Sequence, residues 1–135
     1  MRIRIAADVI RGELVRQVEE LSGQDLLACY QCGKCAAGCP VAFAMDLLPS
    51  QVIRLAQLGQ IEELLETQTI WLCAACQTCT TRCPKGVDLA RIMEALRELA
   101  LRARGDHINP NCLPPAELAE FPQQAFIAGF RKYTA

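Results

Sequence analysis

An all-α fold built around two cysteine ladders is predicted by three features of this 135-residue chain. These are a duplicated ligand spacing, apolar residues at helical period around it, and a near absence of alternating strand pattern. The first ladder is Cys29, Cys32, Cys35 and Cys39 followed by Pro40; the second is Cys73, Cys76, Cys79 and Cys83 followed by Pro84. Both read C-x-x-C-x-x-C-x-x-x-C-P.

Each element follows from local chemistry. A helix from near Val9 to Leu21 closes at Ser22-Gly23, where glycine relieves the left-handed turn that ends many helices. Pro49 to Gly59 has proline near the start, Val52, Ile53, Leu55, Ala56 and Leu58 at helical spacing, and glycine at the stop. Ile61 to Glu66 repeats the pattern over a shorter span. After the second ladder, Asp88 caps a helix running through Leu89, Ile92, Met93, Leu96, Leu99 and Ala100 to Gly105, with arginines and glutamates on its other face. A short edge strand at Arg2-Ile3-Arg4-Ile5 is the one possible β element. Open-sheet ferredoxins need hairpin signals between their ladders, and this chain offers helices there. The expected domain is therefore an α-helical ferredoxin over residues 1–105. Residues 106–135 form a connector marked by Pro110, Pro114, Pro115 and Pro122, then a docking helix from Gln123 to Tyr133 with Phe126, Ile127 and Phe130 at helical spacing.

The ladder spacing lets three thiolates meet one face of a cubane iron-sulfur cluster, while the cysteine before the proline swings to the other cluster. Two 4Fe-4S clusters are expected, one on Cys29, Cys32, Cys35 and Cys83, the other on Cys73, Cys76, Cys79 and Cys39. A structural zinc site draws four thiolates as two separated pairs and does not call for a third cysteine at the next gap plus a proline. A disulfide framework suits secreted chains, whereas the opening residues lack the apolar run of a signal peptide. The expected location is cytoplasmic.

Length and charge narrow the function further. A chain of 135 residues buries about two-thirds of its unfolded surface, enough for one modest core, so cluster binding should be part of folding. Nine cysteines inflate the apolar fraction while aromatics make up 5%, which implies an aliphatic core. A net charge of −1 gives no broad attraction to nucleic acid or anionic membranes, and no apolar run approaches the ~20 residues of a membrane span. Eight ladder cysteines saturate two cubanes and leave no open iron for substrate, and the chain lacks nucleotide-binding and hydrolase motifs. It is read as a non-catalytic electron carrier.

Residues around the ladders suggest tuning. Gly33 and Gly38 allow turns that aim amides at one cluster, where the second loop has Ala75, Gln77 and Thr78. Lys34, and Arg82 with Lys85, either favour the reduced clusters or are ordinary solvated cations. Tyr30 and Trp71 beside the ligands are read first as packing residues, with cluster shielding as the alternative. His107 and Cys112 are read as an ordinary loop histidine and an ordinary thiol.

The stretch Cys29-Tyr30-Gln31-Cys32-Gly33-Lys34-Cys35-Ala36-Ala37-Gly38-Cys39-Pro40-Val41, with Leu58-Gly59, Ile70-Trp71-Leu72-Cys73-Ala74-Ala75-Cys76 and Arg82-Cys83-Pro84-Lys85-Gly86-Val87-Asp88, resembles the C subunit of heterodisulfide reductases over residues 10 to 105. The resemblance implies an electron-transfer subunit placed between a flavin-containing A subunit and a B subunit whose noncubane clusters sit on CCG motifs. This chain has no adjacent cysteine pair, so disulfide chemistry would belong to the partner. An iron-sulfur module of another dehydrogenase, a free-standing ferredoxin and a zinc-stabilised interaction module stay open at this point. The physiological disulfide and the direction of electron flow are not specified by the residues.

Overall fold

The computed structural model describes residues 6–102 and 112–133, with backbone alone for 129–133. The chain divides into two compact units, 1–103 and 104–135. The first contains α1 (Ala7–Ile10), α2 (Glu13–Ser22), α3 (Lys34–Ala37), α4 (Pro49–Gln57), α5 (Ile61–Leu65), α6 (Thr69–Leu72), α7 (Thr78–Arg82) and α8 (Leu89–Arg102). Tight 3₁₀ turns lie at Leu26–Ala28 and Ala42–Ala44. The second unit contains α9 (Pro115–Glu120) and α10 (Gln123–Tyr133). No strand occurs among the described residues, so the architecture is all-helical. The proposed edge strand at residues 2–5, the stop at Gly105 and His107 lie outside them.

The caps act largely as the residues require. Gly23 is left-handed at φ 65° and its N–H donates to the Glu19 carbonyl at 2.8 Å, ending α2 as expected. At the end of α4, the Gly59 and Gln60 N–H groups donate to the Ala56 and Leu55 carbonyls, both at 3.0 Å, in a Schellman closure. Gly59 has a second reason to be glycine: a Cβ there would stand 2.3 Å from the Val9 carbonyl oxygen. Asp88 accepts the Arg91 N–H at 3.2 Å and the Thr80 hydroxyl at 2.8 Å, capping α8 and tying it to the second ladder.

Two expectations are corrected. The single helix near Val9 to Leu21 is broken at Gly12, whose extended backbone (φ −66°, ψ 168°) starts α2 after the separate turn of α1. The proline-rich connector contains a helix, α9, because Pro115 sits in its first turn, where a missing N–H costs no intrahelical bond. Within this unit Phe121 packs edge-on against Phe126, ring centroids 6.1 Å apart.

In the first unit α8 is the central element, packed on α2, α5, α6 and α7. Val18, Val52, Ile61, Leu64, Ile70, Ile92 and Leu96 are fully buried, and Cys29, Cys35, Cys73, Cys79 and Cys83 pack against this cluster. The core is aliphatic, and no aromatic side chain is buried among the described residues. Tyr30 and Trp71 are therefore not core packing residues: they remain 57% and 49% exposed.

Asp46 joins the loop after the first ladder to the helix before the second. Its carboxylate accepts the Gln68 N–H at 3.0 Å and the Thr69 N–H at 2.9 Å, and the buried Thr69 hydroxyl also donates to it. The Thr69 hydroxyl, then these amides, hold the Asp46 carboxyl below the usual carboxylate range. A lowered folded pKa means the contribution is complete above the unfolded value of about 3.9 and is lost as pH falls through the folded value. Asp46→Ala and Asp46→Asn should each lower the stability of the cluster-loaded protein by about 1 kcal/mol at neutral pH. Anaerobic urea unfolding checks this, and equal stability of Asp46→Asn and the native chain would rule out a role for the charge.

Candidate metal centre

The eight ladder thiols ring two adjacent hollows. Cys29, Cys32, Cys35 and Cys83 line one; Cys73, Cys76, Cys79 and Cys39 line the other. Cys79 and Leu89 border both, so the hollows share a wall at the start of α8. Their remaining lining is largely apolar: Ile53 and Val87 in the first, Val41, Met45 and Met93 in the second. The thiols encircle space rather than converge on a point. Among the described residues no three His, Cys, Asp or Glu side chains are placed to hold a single metal ion. Thiolates are the donors that a cubane of four irons and four sulfides requires, and thiols are what ring each hollow. Cys112 is an exposed thiol of the second unit.

The backbone repeats between the loops. Gln31 (φ 63°) and Gly33 (φ 76°) are left-handed in the first, and Ala75 (φ 51°) and Gln77 (φ 59°) take the equivalent places in the second. The second loop thus makes with L-residues the turns the first makes partly with glycine, at a cost of about 1–2 kcal/mol each. Gly38 proves different from expectation, since its φ of −102° is ordinary. Its lack of a side chain instead admits Arg82, whose Cδ would be 2.6 Å from a Cβ there.

Donors surround the sulfurs. The Gln31 N–H and side-chain amide donate to Cys29 Sγ at 3.4 and 3.5 Å, and the Val87 N–H to Cys83 Sγ at 3.3 Å. In the second loop Thr78 Oγ1 lies 3.3 Å from Cys76 Sγ, and this hydroxyl with the Thr78 N–H lowers the Cys76 pKa. Burial pushes the Cys35 and Cys79 thiols up.

Two side chains invisible in the ladder pattern hold the loops to the core. Gln57, buried at the end of α4, donates through Nε2 to the carbonyls of Leu26 and Cys29, both at 2.8 Å. Arg97 of α8 donates through Nε to the Ile70 carbonyl at 2.5 Å and through Nη2 to the Cys73 carbonyl at 2.6 Å. Each clamp thus takes the first cysteine of a ladder and the residue three before it. The ladder repeat does not reveal them, because the clamps follow their cysteines by different intervals, 28 and 24 residues, and differ in residue type.

Residues 25–87 match the model of the 4Fe-4S dicluster domain. This segment is a 4Fe-4S dicluster domain, and the chain is similar to iron-sulfur C subunits of heterodisulfide reductases. As a 4Fe-4S dicluster protein it carries two 4Fe-4S clusters. It is 37% identical over 92 residues to the iron-sulfur C subunit of the CoB–CoM heterodisulfide reductase of Methanopyrus kandleri, covering 67% of this chain and 48% of that protein. It is 31% identical over 94 residues to the C subunit of the H2:CoB-CoM heterodisulfide,ferredoxin reductase of Methanothermobacter marburgensis, covering 70% and 51%. With an iron-sulfur C subunit of the Methanocaldococcus jannaschii CoB–CoM heterodisulfide reductase, the one numbered 2, it shares 34% identity over 104 residues, covering 71% and 55%. The chain spans about half the length of these curated relatives.

Because the dicluster protein holds Gln77 left-handed, Gln77→Gly should raise its stability by about 0.5–1 kcal/mol and keep the full visible absorbance. Gln77→Val should lower both. Urea midpoints and iron content of the two variants check this; a less stable glycine variant would contradict the strain.

Proposed function

We propose that this chain is the electron-transfer subunit of a heterodisulfide-reductase-type complex in the cytoplasm, between a flavin-containing A-type subunit and a disulfide-active, CCG-motif B-type subunit. Cys29, Cys32, Cys35 and Cys83 would hold one cluster, and Cys73, Cys76, Cys79 and Cys39 the other. The observation that carries the reading is that Cys83 of the second ladder lines the hollow of Cys29, Cys32 and Cys35, and Cys39 of the first lines that of Cys73, Cys76 and Cys79, with Cys79 bordering both. When bound, the clusters supply one-electron transfer. The chain's own residues do the rest. Ile53, Val87 and Met93 keep water from the inner walls, Gln57 and Arg97 fix the first cysteine of each loop, and the shared wall keeps the two sites adjacent.

With all eight thiols engaged, no coordination position is left for substrate, so the disulfide chemistry would lie on the B-type partner. Partner contact is supported by the apolar side chains exposed beside the thiol loops: Leu27, Tyr30, Phe43 and Trp71. No helix among the described residues is long and apolar enough to cross a membrane. We assign residues 106–135 as a further docking segment, with Ile127 exposed on α10.

Anaerobic purification from the native cell should yield about eight irons per chain, with a flavoprotein and a CCG-type protein in the same complex. A two-cluster chain isolated without either partner would contradict the assignment. Deleting residues 106–135 should leave the iron content intact and weaken co-purification; unchanged assembly would remove the docking role.

A further inference from the structure

The two carbonyl clamps are alike in geometry and unlike in charge. Gln57 is neutral, whereas the Arg97 guanidinium is permanently cationic. Arg97 is half-buried, and among the described residues no ion pair neutralises it. From this asymmetry, and resting on the function proposed above, we infer that Arg97 gives the centre of the second ladder a higher reduction potential than that of the first. Electrons then run downhill from the Cys29 side to the Cys73 side.

The physical reason is that reduction adds negative charge, which a nearby fixed cation stabilises, and which it stabilises more where water is partly excluded. Competing groups do not cancel this. Lys34 borders the first hollow but is exposed, so solvent and salt screen it. Arg82 lies across Gly38, next to Cys39 and itself adjacent to Cys83, and so adjoins a thiol of each hollow. Asp88 reaches the second loop through Thr80, but Arg91 faces it at 3.6 Å. Asp46 sits at the start of α6 and is exposed. Hydrogen bonds to sulfur are more numerous at the first hollow, three N–H donors against two threonine hydroxyl contacts, but they are neutral dipoles and not a full charge. Lys85 is exposed and screened like Lys34, and the half-buried guanidinium on the Cys73 carbonyl is the fixed-charge difference that remains.

Anaerobic redox titration followed by EPR tests this on the full chain, with the two centres distinguished by Cys32→Ser and Cys76→Ser. In the native protein the second centre should be reduced first. Arg97→Gln keeps an amide donor and removes the charge, and should cut the second centre's reduction equilibrium roughly tenfold, a fall of about 59 mV, with the first centre unmoved. Arg97→Lys should restore most of the shift. Intact iron with an unmoved second potential overturns the inference. Should Arg97→Gln lose iron, Gln57→Arg decides: a raised first potential supports charge tuning and an unchanged one overturns it. A native chain lacking two reducible centres would instead defeat the parent reading.

Discussion

Cys39 and Cys83 leave their own loops and border the opposite hollows, and this exchange organises the rest of the first unit. It draws α3 against α7, the short helices that lead into those cysteines. It also explains why Gly38 must be bare, since Arg82 crosses it where the loops meet. With the ligation proposed above, a chain with one modest aliphatic core would gain a pair of internal staples, each joining segments far apart in sequence, Cys39 with Cys73 and Cys35 with Cys83.

The helices hold what the exchange creates. The caps on α4 and α8 point their buried faces at the space between the ladders, and Gln57 and Arg97 then hold the first cysteine of each loop by its carbonyl. Asp46 fixes the start of α6 from the other side. The sites are thus supported through backbone as well as thiols. Among the described residues no aromatic side chain is buried, and Tyr30, Phe43 and Trp71 beside the loops are exposed, as the proposed partner contact requires.

Much of this was legible in the residues. Pro49 and Gly59 bounded α4, Gly23 closed α2, and Asp88 capped α8, because caps act within a few residues and leave local signatures. The two ladders pointed to a pair of separate sites for the same reason. What escaped was non-local or contrary to propensity. Ala75 and Gln77 give no hint of left-handed backbone, since only the surrounding fold holds them there. Arg97 looks like any polar-face arginine until Ile70 and Cys73 are folded beneath it. Gly12 inside an apolar period reads as a tolerated flaw, and it is a break because α1 turns away before α2 begins. Pro115 reads as an irregular connector, whereas in a first turn it starts a helix.

The exchange of Cys39 and Cys83 is tested most directly by single cysteine-to-serine variants examined by EPR after anaerobic reduction. Cys39→Ser should perturb the same centre as Cys76→Ser, and Cys83→Ser the same centre as Cys32→Ser. If Cys39→Ser instead perturbed the centre altered by Cys32→Ser, each ladder would hold its own cluster and the crossed arrangement would be wrong.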